Sequence, residues 1–361
     1  MTLLPTIPEL AARARADLRM GLVVVLEVGG HAALVGSAET MSEARLADLR
    51  GLGDVLVAIT PRRAQTLKAR AYSDHVARVR LPMDAGAEWV QSLADPADDL
   101  NSPMRGPFLT KRDGDEATAR AAIMLAKSAM LLPAAVMVEV AQGAALAAQF
   151  GLTRLVVSGL SAIESSGALN GIIAARVPLE VSKAGRVHVF RPEDGGEEHY
   201  AVEIGRPDRA KPVLSRLHSA CFTGDVLGSL KCDCGPQLHA ALSAIGTEGS
   251  GVLLYLNQEG RGIGLANKMR AYSLQDQGFD TVEANHRLGF EDDERDFRLG
   301  ASILRELGFG AVRLMTNNPA KIAMMEAQGI TVSQRVPIKV GQSAHNKAYL
   351  ATKAAKSGHL L

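Results

Sequence analysis

The chain contains three cysteines, and all of them lie in one short stretch. Cys221 comes first, and Cys232 and Cys234 form a Cys-x-Cys pair further along. A small and odd number of cysteines does not make a disulfide framework. Thiolates are soft ligands that suit zinc, and Gly228 and Gly235 favour a turn that can aim both sulfurs of the pair inward. The spacing therefore predicts a metal site.

Three protein ligands leave one tetrahedral position open, which is typical of catalytic zinc rather than structural zinc. A water at such a position has its pKa lowered to about 7, so hydroxide becomes available at neutral pH. Two other interpretations stay open from the spacing alone. His218 or His239 could complete a structural site with four ligands, and the cysteines could be no more than buried thiols.

The elements that must position these residues are predicted from the second half of the chain. A buried strand at 252–256 runs into a glycine-rich segment at 257–264, and a helix at 265–277 follows. Three further elements follow in order: a helix at 295–307, a strand at 312–315 and a helix that starts at Pro319. Asn318 can cap this last helix, and proline suits its first turn.

The first half alternates apolar strand patterns with helical patterns, which is typical of an α/β layer structure. The predicted strands are 21–28, 54–60, 134–140 and 155–157. The predicted helices are 41–49, 62–69, 116–130 and 141–149. Alternating apolar residues on both sides of 193–196 predict a β-hairpin over 187–204. We place a boundary near Gly171, which gives an α/β (α+β) protein with two domains at 1–170 and 171–361.

The length and composition restrict the class of protein. A chain of 361 residues fits two domains, and a hydrophobic fraction of 47% is enough to bury their cores. The net charge of +1 argues against non-specific binding to nucleic acid. No stretch approaches the roughly 20 apolar residues that span a bilayer, and residues 1–19 lack the apolar block of a signal peptide. We therefore expect a cytoplasmic protein without a membrane partner.

Several segments of the second half carry a further signal when they are taken in order. They are residues 216–237, 258–264, 267–289, 293–297, 316–321 and 353–361. Together they resemble the GTP cyclohydrolase II family over nearly all of the second half. The resemblance implies an enzyme that uses Zn²⁺ to open the imidazole ring of GTP, releasing formate and pyrophosphate and leaving a diaminopyrimidinone ribonucleotide. It also implies the first step of riboflavin biosynthesis, Mg²⁺ on the triphosphate and a homodimer.

The resemblance assigns roles to individual residues. It implies that one Zn²⁺ is held by Cys221, Cys232 and Cys234. It implies Asp293 as the proton acceptor, Arg295 as the group that engages the α-phosphate, and Tyr272 as an active-site tyrosine. The GTP contacts that it implies are Arg216, His218, Ser219, Gln237, Glu259, Gly260, Arg261, Thr281, Thr316 and Lys321.

One position departs from the family pattern, because Ala220 stands where a glutamate usually precedes the first cysteine. If that contact uses the side chain, the affinity for Mg²⁺ or GTP changes. The other residue types suit the chemistry, since arginine can clamp a phosphate with two hydrogen bonds, whereas lysine acts as a point charge. Glycines at 260, 262 and 264 allow the backbone to approach a ligand closely.

Each of these residues also has a simpler interpretation when taken alone. A glycine-rich run is often only a turn. Asp293 and Arg295 lie in a charged run that is typical of a solvated helix start, and Lys321 could lie on the surface. Tyr272 has helical spacing from Met269, which often indicates core packing. Only their occurrence together with the cysteines favours an enzyme over a non-catalytic GTP-binding protein with structural zinc.

The first half has a fainter likeness to dihydroxybutanone phosphate synthase, in residues 58–64, 125–139 and 144–160. The acidic cluster and the Gly-His-Thr-Glu motif of that family are missing, and residues 26–33 and 113–120 stand in their place. Without clustered carboxylates and a histidine, no magnesium site is predicted. We therefore predict a degenerate domain that lacks synthase activity and serves in dimerisation or regulation.

Two alternatives for the first half stay open. The protein could be a bifunctional riboflavin-pathway enzyme that also makes dihydroxybutanone phosphate, although the missing motifs argue against this. A metal site could also be rebuilt in an unfamiliar arrangement, from Glu27, His31, Asp113, Asp115 and Glu116.

Overall fold

Buried apolar strands of the kind that the sequence predicts form two separate β-sheets, and helices pack on both. The computed structural model describes residues 3–102, 105–160, 163, 168–343, 346 and 360. The combination of sheets and helices confirms the predicted α/β class. Among the described residues, no helix is long and apolar enough to cross a membrane.

The helices and strands of the described residues follow one another in this order. The first are α1 (Ile7–Arg19), β1 (Val24–Val28), β2 (His31–Ser37), α2 (Glu43–Arg50), β3 (Val55–Ile59), α3 (Pro61–Leu67), β4 (Ala77–Arg80), α4 (Ala87–Ala94), α5 (Ala117–Ser128), β5 (Ala134–Val140), α6 (Gly143–Phe150) and β6 (Arg154–Val157). The next are β7 (Leu169–Arg176), β8 (Gly185–Pro192), β9 (His199–Ile204), β10 (Val213–Ser219), α7 (Cys234–Glu248), β11 (Gly251–Leu256), α8 (Leu265–Asp276), α9 (Thr281–Leu288), α10 (Arg298–Glu306), β12 (Ala311–Met315), α11 (Pro319–Ala327) and β13 (Thr331–Val336). Between them lie a π-helical turn at Phe222–Val226 and a short turn at Glu259–Gly262.

The first compact unit comprises Met1–Ser166 and Ala266–Asp292. Its sheet has the strand order β4-β3-β5-β2-β1-β6, in which β1 and β6 are parallel and the other neighbours antiparallel. The alternating residues Val24 and Leu26 of β1 pack with α1 and α5 in one core. Val25 faces the opposite side, against α6. The sheet is therefore covered by helices on both faces, as its continuous apolar strands require.

The segment 266–292, which holds most of α8 and all of α9, belongs to this first unit by its contacts. Arg270 pairs with Glu39 at 2.9 Å and with Asp95 at 3.1 Å, and α9 packs against α3. The predicted boundary near Gly171 instead assigned the segment to the second domain. The functional division at 170/171 stays a prediction, whereas the contacts group this segment with the first unit.

The second compact unit comprises Gly167–Leu265 and Asp293–Leu361. Its sheet has the order β13-β12-β10-β11-β9-β8-β7, with β8 and β9 forming the predicted hairpin. Strands β10, β11 and β12 run parallel, so their carboxyl ends meet at one edge. Helix α7 covers one face of the sheet, and α10 and α11 cover the other.

Several elements of the second unit differ from the sequence prediction, and α7, β7 and β13 are among those that were not predicted. Strand β10 was not predicted, although it lies between β11 and β12 in the sheet. The predicted helix at 295–307 begins later, at Arg298. The Asp293 carboxylate accepts the backbone N–H of Arg295 at 3.2 Å, and that of Asp296 accepts the backbone N–H of Arg298 at 2.9 Å. These local bonds favour a turn and delay the helix.

A buried ion pair offers a test of how the first unit is stabilised. The side chain of Arg63 is 1% exposed, and its guanidinium donates to the Asp99 carboxylate at 3.0 Å and to the Leu93 carbonyl at 2.8 Å. Arg63→Ala removes the closest partner of a buried carboxylate. We expect the free energy of unfolding of this unit to fall by about 3 kcal/mol. The value lies at the lower end of the usual range because Arg105 and Arg287 also approach Asp99, at 3.6 and 3.7 Å.

The single tryptophan, Trp89, lies in α4 of this unit, so its fluorescence during urea unfolding measures the change. The matched control is Arg62→Ala, which removes the exposed pair with Glu291 and should cost less than about 1 kcal/mol. Equal unfolding midpoints for the two variants would contradict the prediction.

Candidate metal centre

The predicted metal ligands lie at the carboxyl edge of the parallel strands. Cys221 follows β10, Glu259 follows β11, and Thr316 follows β12. Because parallel strands end at the same edge, residues far apart in sequence come together there. This edge is therefore where the sequence motifs of the second unit meet.

The three cysteine sulfurs form one compact group. Their Sγ atoms all lie within 4.8 Å of one another, and the Sγ atoms of Cys221 and Cys232 are 3.7 Å apart. A tetrahedral site with metal–sulfur bonds of about 2.3 Å has sulfur–sulfur edges of about 3.8 Å. Cys234 is the first residue of α7, so the helix fixes the position of its side chain next to the other two sulfurs. The donor set and its spacing fit a zinc ion.

In the part of the chain that the structure describes, no histidine joins this group of sulfurs. Among the described residues, the three cysteines form the one set of three or more His, Cys, Asp or Glu ligands that is compact enough for a metal. His218, the nearer of the two predicted alternatives in sequence, instead directs Nε2 to the Asp225 carboxylate at 3.0 Å. The geometry favours a site with three protein ligands over one with four.

The thiols affect one another's ionisation. Contact with the Cys221 sulfur raises the pKa of Cys232, and it raises the pKa of Cys234 more strongly, where burial adds to the effect. Three sulfurs at this distance resist becoming anions together unless a cation lies between them. A divalent cation held between the three sulfurs would offset the repulsion between their negative charges.

A buried carboxylate that the sequence analysis missed organises the loop around Cys221. Asp225 accepts hydrogen bonds from His218, from the backbone N–H of Cys221 at 3.0 Å and from the Tyr255 hydroxyl at 2.9 Å. Burial lowers the pKa of His218 despite this carboxylate. Burial, followed by the Asp225 charge, raises the pKa of Tyr255. No spacing rule indicates Asp225 or Tyr255, because their contacts join β11 to the π-helical turn.

Arg216 links the cysteine loop to the end of β12. Its guanidinium donates to the Met315 carbonyl at 2.9 Å and to the Gln237 side-chain oxygen at 2.6 Å. Gln237 in turn donates to the carboxylate of Asp233, which stands between Cys232 and Cys234. Burial lowers the pKa of Arg216 to about 10, so it stays charged at neutral pH. Its buried Nε has no acceptor among the described residues, which is unusual and is often explained by a missing ligand.

Asp293 and Arg295, the predicted catalytic pair, lie against each other. The Arg295 guanidinium donates hydrogen bonds to the Asp293 carboxylate, with Nε 2.7 Å from Oδ1. It also donates to the Ser219 hydroxyl at 3.4 Å. Burial by itself raises the pKa of Asp293. The hydrogen bond and charge of Arg295, helped by the charge of Arg261, lower it overall. Asp293 is therefore ionised at neutral pH and can accept a proton.

The turn after β11 has an unusual backbone. Gly260 and Arg261 both have positive φ, at 62° and 63°, and only glycine adopts this region freely. A residue such as Arg261 stores strain of about 1–3 kcal/mol there, which is typical of ligand-binding loops. The Glu259 carboxylate accepts the backbone N–H groups of Phe222 and Gly260, at 2.5 and 2.9 Å. It thereby ties this turn to the cysteine loop.

Lys321 is buried rather than on the surface. It is a residue of α11, and its Nζ donates a hydrogen bond to the Leu217 carbonyl at 3.1 Å. Asn318 caps the helix as predicted, accepting the backbone N–H of Ala320 at 3.0 Å. The Thr316 hydroxyl accepts the backbone N–H of Asn318 at 3.0 Å, so it helps to shape the same turn.

Two predicted site residues belong to the first compact unit. Tyr272 lies in α8, with the Lys268 ammonium 5.7 Å from its ring centre, and Thr281 starts α9, where its hydroxyl accepts from Gln275 at 3.2 Å. The other predicted site residues all belong to the second unit. Ala220 uses its backbone N–H, which donates to Leu256 at 2.8 Å. Of the segment 353–361, all but residue 360 lies outside the described residues.

Three thiols that could hold a metal ion, an ionised carboxylate and buried cations at one sheet edge define an α/β protein whose site suits an anionic substrate. A family model described as GTP cyclohydrolase II matches residues 171–337. A protein of Azospirillum brasilense named GTP cyclohydrolase-2 is 44% identical over 358 residues, which cover 96% of this chain and 93% of that protein. The chain therefore belongs to the GTP cyclohydrolase II family and is a hydrolase of that family.

Other relatives match a smaller part of the chain. A Bacillus velezensis protein named riboflavin biosynthesis protein RibBA is 58% identical over 177 residues, 49% of this chain and 44% of that protein. A solved structure described as RibBX, a two-domain 3,4-dihydroxy-2-butanone 4-phosphate synthase from A. baumannii, covers 91% of this chain and 99% of its own. Its sequence identity to this chain is 16% and the TM-score is 0.32.

Gly224 lies against the sulfurs and provides a test of the site. A Cβ atom at this position would lie 2.8 Å from Sγ of Cys232 and 3.1 Å from Sγ of Cys221. We expect Gly224→Ala to push the sulfurs apart and to lower the affinity for Zn²⁺ by roughly 10- to 100-fold, as other changes next to metal ligands do. Titration with a competing chelator measures the affinity.

Gly310→Ala is the matched control, because no atom of the described residues lies within 4 Å of a Cβ there. This variant should bind Zn²⁺ like the wild type. An unchanged affinity in Gly224→Ala would mean that the sulfurs do not hold the ion in the observed arrangement.

Proposed function

We propose that this protein hydrolyses GTP with opening of the imidazole ring, releasing formate and pyrophosphate, as the first step of riboflavin biosynthesis. The observation that carries the proposal is the sulfur group at the same sheet edge as the ionised Asp293 and the buried arginines, in a member of this family. The names of the relatives support the substrate and the pathway.

Cys221, Cys232 and Cys234 hold the zinc ion in this proposal. Zinc with an open position supplies hydroxide at neutral pH, which the attack on an aromatic ring carbon needs. Asp225 keeps the Cys221 backbone in place, and Asp233 extends the arrangement to Gln237 and Arg216. These contacts fix the ligands before the substrate arrives.

The cations of the second unit bind the phosphates. Arg216 and Lys321 are buried and charged, so they have lost hydrogen bonds to water. The oxygens of a bound triphosphate accept hydrogen bonds from them in place of that water. The strained turn at Gly260 and Arg261 brings backbone and side chain close to an anion. Magnesium accompanies the triphosphate rather than a protein cluster, because the described residues contain no compact carboxylate group for it.

The carboxylates of the site handle protons and the base. Asp293 is ionised before the reaction and accepts a proton from the reacting centre. Arg295 binds the α-phosphate and thereby weakens its hydrogen bonds to the Asp293 carboxylate. Glu259 ends in a carboxylate whose oxygens accept hydrogen bonds, as they do from the backbone N–H groups of Phe222 and Gly260. It therefore suits the N–H groups of guanine. Roles for His218, Ser219, Tyr272, Thr281 and Thr316 in substrate binding or catalysis are part of the same proposal.

Two substitutions separate metal binding from chemistry. Cys232→Ser should abolish formate release from GTP and lower the zinc content, because one thiolate ligand is lost. Arg295→Ala should abolish turnover while the zinc content stays near that of the wild type, because Arg295 pairs with Asp293 and Ser219 and is not one of the three proposed ligands. Formate is measured by a coupled assay and zinc by atomic emission.

Near-normal formate release from either variant would contradict the assignment. Chelation of the wild-type protein distinguishes the remaining alternative. A protein that loses turnover but keeps its circular dichroism spectrum has catalytic zinc, whereas one that unfolds is the non-catalytic protein with structural zinc.

We propose further that the first unit is a degenerate synthase domain without synthase activity. Glu27, one candidate for a rebuilt metal site, is held by Arg154 at 2.7 Å, and no compact metal-ligand group occurs among the described residues of this unit. The Azospirillum relative shares nearly the whole chain and is named for the cyclohydrolase alone. The proposed role of the first unit is dimerisation or regulation. A homodimer and a cytoplasmic location are part of the same proposal.

The purified protein should form no dihydroxybutanone phosphate from ribulose 5-phosphate with Mg²⁺, since clustered carboxylates for the metal are missing. Product is followed by phosphorus NMR, with a known synthase as the positive control. Clear product formation that requires this protein would establish the bifunctional alternative.

A further inference from the structure

The aromatic ring of Phe297 lies beneath two of the proposed phosphate-binding cations. The guanidinium carbon of Arg295 is 4.8 Å from the ring centre, and the Lys321 ammonium is 4.9 Å from it. A cation within about 6 Å of an aromatic ring is attracted by the negative face of the ring, and more strongly where water is excluded. Phe297 is 4% exposed, so this environment is dry.

The ring is fixed in position by the core of the second unit. Phe297 packs in the cluster that contains Leu217 and Leu254, beneath β10 and β11. The Leu217 carbonyl also accepts the Lys321 ammonium at 3.1 Å, so this residue and the ring together define where Nζ lies. A rigid ring therefore sets the positions of groups that come from two distant segments.

The two cations on this ring repel each other, so they need a group that attracts both of them. Arg216 adds a third positive charge, and the charge of Arg295 is one of the influences that lower the pKa of Arg216. A second negative group in place of the ring would neutralise the cations and compete with a phosphate. A neutral aromatic ring attracts both cations and leaves their charge available to a ligand.

Resting on the proposed function, we propose that Phe297 is a positioning residue that holds Arg295 and Lys321 together, ready for the triphosphate of GTP. Cations that are already in place lose less freedom when the ligand binds, which increases the affinity. We expect the effect on the phosphates, because Arg295 and Lys321 are the cations that are proposed to bind them.

The test uses the zinc-loaded full-length protein and two probes, sodium tripolyphosphate and guanosine, each measured by isothermal titration calorimetry. Phe297→Leu should weaken tripolyphosphate binding by roughly 5- to 30-fold, the loss expected for two buried cation–ring contacts. Guanosine binding and zinc content should stay within about twofold of wild type, since the phosphates alone meet these cations.

Phe309→Leu is the matched control. Phe309 belongs to the same core and its ring also lies beneath a cation, Arg209, at 4.3 Å. This variant loses the same ring from the same core but should bind tripolyphosphate like the wild type. A second series keeps the shape of the ring: phenylalanine analogues with one to five fluorine atoms at position 297 should weaken tripolyphosphate binding stepwise as the ring face loses its negative charge.

Equal tripolyphosphate affinity in the wild type, Phe297→Leu and the fluorinated series would overturn the proposal, and so would an equal loss of guanosine and tripolyphosphate binding. No binding of tripolyphosphate by the wild type would overturn it as well. If Phe297→Leu does not fold, the fluorinated series decides alone. Formate release from GTP by the wild type is measured in parallel. Its absence would refute the proposed function, while the tripolyphosphate comparison would still decide the role of Phe297.

Discussion

Like charges are crowded at one edge of the second sheet, and the rest of the site depends on how they are kept there. Three sulfurs lie within 4.8 Å, and Arg216, Arg295 and Lys321 come from three different parts of the chain. Neither set is stable by itself in a dry environment, because burial disfavours charge and like charges repel. The sulfurs leave room for a metal ion between them. The cations are stabilised by backbone carbonyls, by the Asp293 carboxylate and by the Phe297 ring.

The need to bury charged and polar groups at this edge also explains why one strand of the sheet was not predicted from the sequence. Strand β11 is uniformly apolar and was predicted, whereas β10 reads Val-Leu-Ser-Arg-Leu-His-Ser and was not. Its Ser215, Arg216 and His218 are buried polar residues, so hydrophobic periodicity does not indicate a central strand. The pattern fails here because the strand carries the site.

Predictions that rest on local chemistry fared better than those that need tertiary contacts. The hairpin of β8 and β9 and the Asn318 cap each follow from neighbouring residues, and the structure confirms them. The three cysteine sulfurs also lie together, as the predicted metal site needs. Asp225 was missed because its partners stand on β10 and β11 and become neighbours only in the folded sheet. The segment 266–292 was assigned by its motif, which carries no information about the helices on which it packs.

The first unit is discontinuous in the chain, and this has a consequence for synthesis on the ribosome. When Ser166 has been made, helix α3 still lacks the helix that packs against it, because α9 is encoded after much of the second sheet. The surface around Thr60 and Pro133, against which Gly289 fits closely, is uncovered during that interval. The amino-terminal half is then an incomplete folding intermediate, and a gene fragment cut at the family boundary would express it permanently in that form.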